Sequence, residues 1–272
     1  MDTRPIGVLD SGLGGLTAVR EVLSALPEEN MVYFGDTGRV PYGSRSSVIL
    51  EKYTRQDLRF LEGKGIKALL VACGTISSNS LDAVRGDFPF PMTGVVEPAI
   101  RAAARATKNQ KIGIIATAAT IRSGAYQRTL QEVMPEAEAM ALACPLFVPL
   151  VESGHFAPGD RMAEAAAEEY LSPLRTAGVD TLVLGCTHYP ILSEVIGRYM
   201  GPKVALIDSG RESVLAFRQM LEQRDLRAPG DNRAELHFYV SDLPEGFSRW
   251  GGMVLSRDIP PSEISQIEIE DY

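Results

Sequence analysis

Cysteine is scarce in this chain. There are three in 272 residues, at 73, 144 and 186. An odd number at wide spacing excludes a secreted disulfide framework and fits a reducing cytoplasm. Paired metal ligands are missing too. Three histidines, with no Cys-x-x-Cys and no His-Glu-x-x-His, give no zinc site, and no metal is expected. Gly12-Leu13-Gly14-Gly15 does not fit the Gly-x-Gly-x-x-Gly of a dinucleotide fold, and no phosphate-binding P-loop occurs. Long apolar runs are absent, so no membrane span is expected. Met1 to Pro5 lead into an apolar strand with no signal peptide. A formal charge of −8 disfavours a polyanionic partner such as nucleic acid.

What is present is an ordinary globular composition, 45% apolar and 23% charged, in a chain long enough for two compact domains. Apolar runs alternate with amphipathic stretches. Strands are expected at Ile6–Asp10, Met31–Gly35, Ala68–Ala72 and Met92–Val96. A second set is expected at Lys111–Ala116, Ala137–Ala143, Thr181–Gly185 and Val204–Ile207. Helical patterns lie between them, including Ser78–Gly86, Thr120–Val133, Pro158–Ala177 and Ser209–Arg224. Such alternation predicts an α/β fold with parallel sheets. Leu236–Val240 reads as an added edge strand, and 256–272 as an acidic, isoleucine-rich tail.

A strand-to-cysteine turn is written twice. Gly65 to Thr75 contains Leu69-Leu70-Val71-Ala72-Cys73-Gly74-Thr75; Gly178 to His188 contains Leu182-Val183-Leu184-Gly185-Cys186-Thr187-His188. Ile6-Gly7-Val8-Leu9-Asp10-Ser11 is echoed by Ile112-Gly113-Ile114-Ile115-Ala116-Thr117. These echoes predict a repeated unit and pseudo-two-fold symmetry. The first domain is expected over 1–97 with 209–272, and the second over 98–208.

In a parallel sheet, ligands gather at the carboxyl ends of the strands. Cys73 and Cys186 end equivalent strands, each opening a turn before a helix. A helix start there would make a thiolate accessible near neutral pH. Cys144, without a polar turn, reads as core. His188, two residues after Cys186, would relay its proton or simply cap the turn before Pro190. Asp10, before Ser11-Gly12-Leu13-Gly14-Gly15, would modulate Cys73 or cap a helix; the glycines could form a nest for a carboxylate. The polar loop from Gly35 to Ser44 overhangs the same edge. Thr117 and Thr120 occupy the matching edge of the second unit. Glu152 follows another strand pattern and would face the cleft or stay a solvated loop carboxylate.

Taken together, Asp10-Ser11-Gly12-Leu13-Gly14-Gly15-Leu16-Thr17, the Gly35-to-Gly43 loop, Ala72-Cys73-Gly74-Thr75 and Leu184-Gly185-Cys186-Thr187-His188-Tyr189-Pro190 resemble the glutamate racemase family. The resemblance runs from about Ile6 to Phe217. It implies two flavodoxin-like domains with the substrate at their interface. It also implies cofactor-independent interconversion of L- and D-glutamate for peptidoglycan, and a homodimer. By position, it puts the acid–base pair on Cys73 and Cys186, with Asp10, His188 and Glu152 assisting. Substrate contacts fall on Asp10, Ser11, Tyr42, Gly43, Gly74, Thr75, Thr187 and His188. Gly74 departs from the asparagine usual in the family, and Gly38 from its alanine. The first departure keeps open a related racemase of aspartate or another small acid, and a non-catalytic regulatory homologue is a further alternative.

Overall fold

The computed structural model describes residues 1–242, 247–257 and 259–272. Its strands are β1 (Ile6–Asp10), β2 (Met31–Gly35), β3 (Ala68–Val71), β4 (Met92–Thr93), β5 (Lys111–Ala116), β6 (Glu138–Ala143), β7 (Thr181–Leu184), β8 (Ala205–Asp208), β9 (Leu236–Val240) and β10 (Ile264–Gln266). The helices are α1 (Leu16–Ala25), α2 (Ser47–Gly63), α3 (Gly74–Asn79), α4 (Leu81–Val84), α5 (Val96–Ala106), α6 (Ala118–Ser123), α7 (Ala125–Val133), α8 (Phe147–Glu152), α9 (Arg161–Ala177), α10 (Ser193–Met200), α11 (Ser209–Gln223) and α12 (Phe247–Leu255). No helix among the described residues is long and apolar enough to cross a membrane.

Two parallel sheets result. One runs β10-β9-β2-β1-β3-β4 and the other β6-β5-β7-β8. The last four strands of the first, β2-β1-β3-β4, and all four of the second share one order, so β1 matches β5 and β3 matches β7. The repeated glycine has a steric cause. Gly7 pairs with Leu69 and Gly113 with Leu182. A Cβ on Gly7 would lie 2.9 Å from Leu69 Cδ1, and one on Gly113 would lie 2.9 Å from Leu182 Cδ1. In each sheet a leucine of the neighbouring strand leans across the space that a side chain would need.

β1, β2, β3 and β7 are buried along their whole length, as expected of strands covered by helices on both faces. Val214, Phe217 and Leu221 of α11 join Ile6, Val8 and Leu16 in one core, so the chain packs back onto the first sheet after β8. A second core gathers Ile115, Phe147, Leu171, Leu182 and Ile196. Burying each such side chain contributes about 1.5–3 kcal/mol.

Several boundaries differ from the sequence expectation for local reasons. β4 ends at Thr93, because α5 begins at Val96 and takes Pro98 into its first turn, where a missing N–H costs no helical bond. The expected helix over Thr120–Val133 is two helices, broken where Gly124 adopts φ 67°. α9 starts at Arg161 because Asp160 accepts hydrogen bonds from the Met162 and Ala163 amides, and it ends at Gly178 with φ 72°. β9 is not the edge strand: β10, from within the tail, pairs outside it. Within that tail, residue 258 lies outside the described residues.

Candidate active site

The carboxyl ends of β1, β3, β5 and β7 converge at the seam between the sheets. Asp10 ends β1 and is 1% exposed. Its Oδ2 accepts from the Gly12 amide at 3.0 Å, while Oδ1 has no hydrogen-bond partner. Gly15 lies so close that a Cβ there would fall 2.4 Å from Asp10 Cβ. Burial raises the Asp10 carboxyl above its usual range, against the opposing charge of His188 and the nearby amides.

Cys73 caps α3 and is buried; its Sγ donates to Ser11 Oγ at 3.3 Å. Its thiol is pushed up to about 12, chiefly by burial and then by the Asp10 charge. This corrects the expectation of a thiolate near neutral pH. The helix start is there, but removal from water outweighs it, and Cys73 holds its proton. Cys144 is fully buried at the end of β6, among the residues of the second core.

Cys186 follows β7 in a turn that leads to a 3₁₀ segment, Tyr189–Leu192, rather than directly to an α-helix. Its Sγ lies 4.0 Å from His188 Nδ1, and His188 Nε2 is 3.0 Å from Glu152 Oε1. Burial pulls the imidazole pKa down. The hydrogen bonds and charges of Cys186 and Glu152 outweigh it, and His188 is pushed up to about 10. His188 therefore stands beside Cys186 as a cation at neutral pH. Glu152 does not follow a strand: it is the last residue of α8, and this helix aims it at His188. The Trp250 ring packs 6.2 Å from the His188 ring.

The His188 shift has a testable sign. Its folded-state pKa lies above the unfolded value of about 6.5. The stability it contributes is fully present below that value and is lost as pH rises toward about 10. In thermal melts, the advantage of wild type over His188→Gln is expected to be largest near pH 6 and to shrink steadily toward pH 10. A gap that widens with pH would overturn the assignment.

Small residues let the two halves touch. A Cβ on Gly74 would lie 2.2 Å from the Gly185 carbonyl oxygen, so the two cysteine-bearing turns meet backbone to backbone. A Cβ on Gly14 would lie 2.3 Å from Thr187 Oγ1 and 2.5 Å from His188 Nδ1. One on Gly43 would lie 2.9 Å from Thr117 Cβ. Thr17 Oγ1 lies 2.9 Å from both the Gly14 and Thr187 carbonyls. Thr75 Oγ1 and Thr117 Oγ1 are 2.9 Å apart, and Thr117 Oγ1 is 3.0 Å from Thr120 Oγ1.

Tyr42 is placed differently from its neighbours. Its hydroxyl bonds the Asp36 carboxylate and lies 3.3 Å from Asp57 Oδ2. Arg39 Nη2 completes this buried group, 2.7 Å from Asp57 Oδ1. The phenol therefore anchors the Gly35-to-Ser44 loop, and it is the backbone at Gly43 that reaches the seam. Thr17, Ser78, Asn79 and Trp250 were not singled out from the sequence. For Ser78 a signal existed: Thr75 and Ser78 are three apart, as are Thr117 and Thr120, which sets two hydroxyls on one face of α3 and sets the Thr117 cap of α6 beside Thr120. A separate cavity of about 810 Å³, walled by Arg85, Arg101, Arg128 and Glu132 among others, includes neither thiol.

Known proteins share this fold. The family profile described as Asp/Glu/Hydantoin racemase matches residues 36–216. The chain is similar to the glutamate racemase of Geobacter metallireducens, 43% identical over 270 residues, covering 99% of this chain and 98% of that one. Among solved structures, it is similar to glutamate racemase from Francisella tularensis in complex with D-glutamate, with a TM-score of 0.92 and 34% identity over 100% of both chains. It is also similar to the Thermus thermophilus glutamate racemase in complex with beta-chloro-D-alanine, with a TM-score of 0.88 and 38% identity, again over 100% of both chains.

Proposed function

The chain belongs to the Asp/Glu/hydantoin racemase family, among its glutamate racemases, and from there we propose that Cys73 and Cys186 invert glutamate by exchanging its α-proton from opposite faces. The observation that carries this reading is the meeting of two equivalent strand ends, each with one thiol, across the Gly74–Gly185 contact. The α-hydrogen of an amino acid is a weak acid, because the carbanion forms beside a carboxylate. Inversion needs a base on one side and an acid on the other. The two thiols are set up differently. Cys73 keeps its proton, while Cys186 has the His188 imidazolium 4.0 Å from its sulfur.

In one direction Cys186 takes the α-proton and Cys73 supplies one from the opposite face; the reverse direction exchanges the roles. Positioned acids and bases contribute about 10²–10⁴-fold each. The remainder comes from placement and from dipoles aimed at the developing charge. Asp10 holds or tunes the Cys73 proton; Glu152 orients His188. Ser11, Gly43, Gly74, Thr75, Thr117, Thr120 and Thr187 offer hydroxyls and amides to the carboxylates. Tyr42 serves by fixing the loop that brings Gly43 to the seam. No residue of this scheme calls for a cofactor.

The wider reading follows from the same assignment. Residues 1–97 with 209–272 and residues 98–208 act as two domains with the substrate at their interface. The product D-glutamate serves peptidoglycan synthesis in the cytoplasm, and the working form is a homodimer. The test is L-glutamate in heavy water with no added cofactor. D-glutamate is expected to appear with deuterium at the α-carbon; inversion that retains the original hydrogen would sink the two-base scheme.

A further inference from the structure

The threonines at the seam continue into a polar chain that the scheme above leaves unused. Asn79, the last residue of α3, donates through Nδ2 to Ser78 Oγ at 2.9 Å and to the Thr75 carbonyl at 3.0 Å. Ser78 Oγ lies 3.3 Å from Thr120 Oγ1. Thr120 meets Thr117, which meets Thr75. The result is a ladder between α3 and α6, with two rungs that cross the seam at the same sequence separation, 42 residues. No Lys or Arg side chain hydrogen-bonds into it among the described residues.

A hydroxyl has one proton, so the ladder can be counted. Thr75, Thr117 and Thr120 hold three protons between them. The two links within this trio use one each. The third stays free only if Ser78 donates to Thr120 instead of accepting from it. Ser78 has one other acceptor within reach, the Thr75 carbonyl at 3.3 Å. Asn79 already bonds that carbonyl and also fills an acceptor position on Ser78 Oγ. Both contacts turn the Ser78 proton toward Thr120.

We propose that Asn79 is a positioning residue: by polarising Ser78 it keeps one threonine proton of the ladder free to bind a carboxylate of the substrate. The proposal rests on the reading of this seam as a glutamate site. Gly74 gives it a reason. Position 74 has no room for a side chain against the Gly185 carbonyl, so an amide group has to enter from farther along α3. Asn79 is five residues on, and it acts through Ser78 without touching the substrate.

The test compares steady-state kinetics of wild type, Asn79→Ala and the double variant Ser78→Ala/Asn79→Ala on glutamate, with a thermal melt of each. In Asn79→Ala, Ser78 is free to donate to the Thr75 carbonyl and accept from Thr120, and the spare proton is consumed. KM is expected to rise about ten- to a hundredfold, the loss of one hydrogen bond to an ionised group, with kcat within a few-fold of wild type. The double variant is expected to recover most of the KM, because without the Ser78 oxygen the Thr120 proton has no acceptor there. Asn79→Asp keeps the shape but only accepts, and is expected to match Asn79→Ala; it carries the comparison should the alanine variant not fold. An unchanged KM in the single variants, or a double variant no better than Asn79→Ala, overturns the proposal. Wild type that does not racemise glutamate overturns the underlying reading instead, and the proposal with it.

Discussion

Cys73→Ala and Cys186→Ala are each expected to lower the rate of glutamate racemisation by about 10⁴-fold, the upper end of what one positioned acid or base supplies. The two variants should not fail in the same way. With Cys73 gone, Cys186 can still remove an α-proton from the enantiomer that presents it and put one back on the same face. With Cys186 gone, Cys73 faces only the other enantiomer. In heavy water each variant should therefore exchange the α-hydrogen of one enantiomer without inverting it, and the two variants should choose opposite enantiomers. Chiral separation followed by mass spectrometry reads both quantities. Exchange of both enantiomers by a single variant, or racemisation near the wild-type rate, would show that the thiols are not a base and an acid on opposite faces.

Glu29→Ala is expected to lower stability by about 3–5 kcal/mol, the usual cost of stranding a buried charge. Glu29 and Lys67 are both fully buried, with Lys67 Nζ 2.6 Å from Glu29 Oε2. Glu29 Oε1 also accepts from the Ala228 amide at 2.9 Å and pairs with Arg227 at 3.3 Å. Lys67 sits just before β3, so this clasp ties the entry of the Cys73 strand to the segment ahead of β9. A chain of this size loses roughly 2–4 °C of Tm per kcal/mol, which predicts a fall of about 6–20 °C in a thermal melt. Glu29→Met with Lys67→Met removes both charges and is expected to recover part of the loss. The Ala228 amide and Arg227 still lose their acceptor, so recovery stays incomplete. A shift under about 2 °C in Glu29→Ala would show that the pair contributes little.

Much of this architecture was legible in the sequence because its signals are local. Buried parallel strands read as short apolar runs, and β1, β2, β5 and β7 fall within a residue of their expected limits. The repeat was visible because one steric constraint, a leucine leaning over a glycine, is imposed twice. What escaped depends on distant partners. Phe147–Glu152 has no strong helical pattern and is helical because Phe147, Leu150 and Val151 find a core to fill. β10 is three residues long, and β9 alone explains its place. Tyr42 was placed correctly in the chain, but its hydroxyl turns inward to Asp36 and Asp57, which are themselves far apart in sequence. The Cys73 thiol was located from its motif. Its protonation follows from the depth of burial, which a motif does not encode. The Ser78–Thr120 rung needed both short helices in hand before its spacing meant anything.

The unequal surroundings of the two sulfurs have a kinetic consequence. A molecule with its resting proton on Cys73 is cocked for one mirror form of its substrate, whose hydrogen points at the opposite sulfur. Each conversion sends that proton out on the product and leaves the substrate's own on the other sulfur, ready for the reverse trip and not for another of the same kind. On this scheme the empty protein has to reset between like turnovers, and at high flux that idle interval, not the chemistry on carbon, would set the pace.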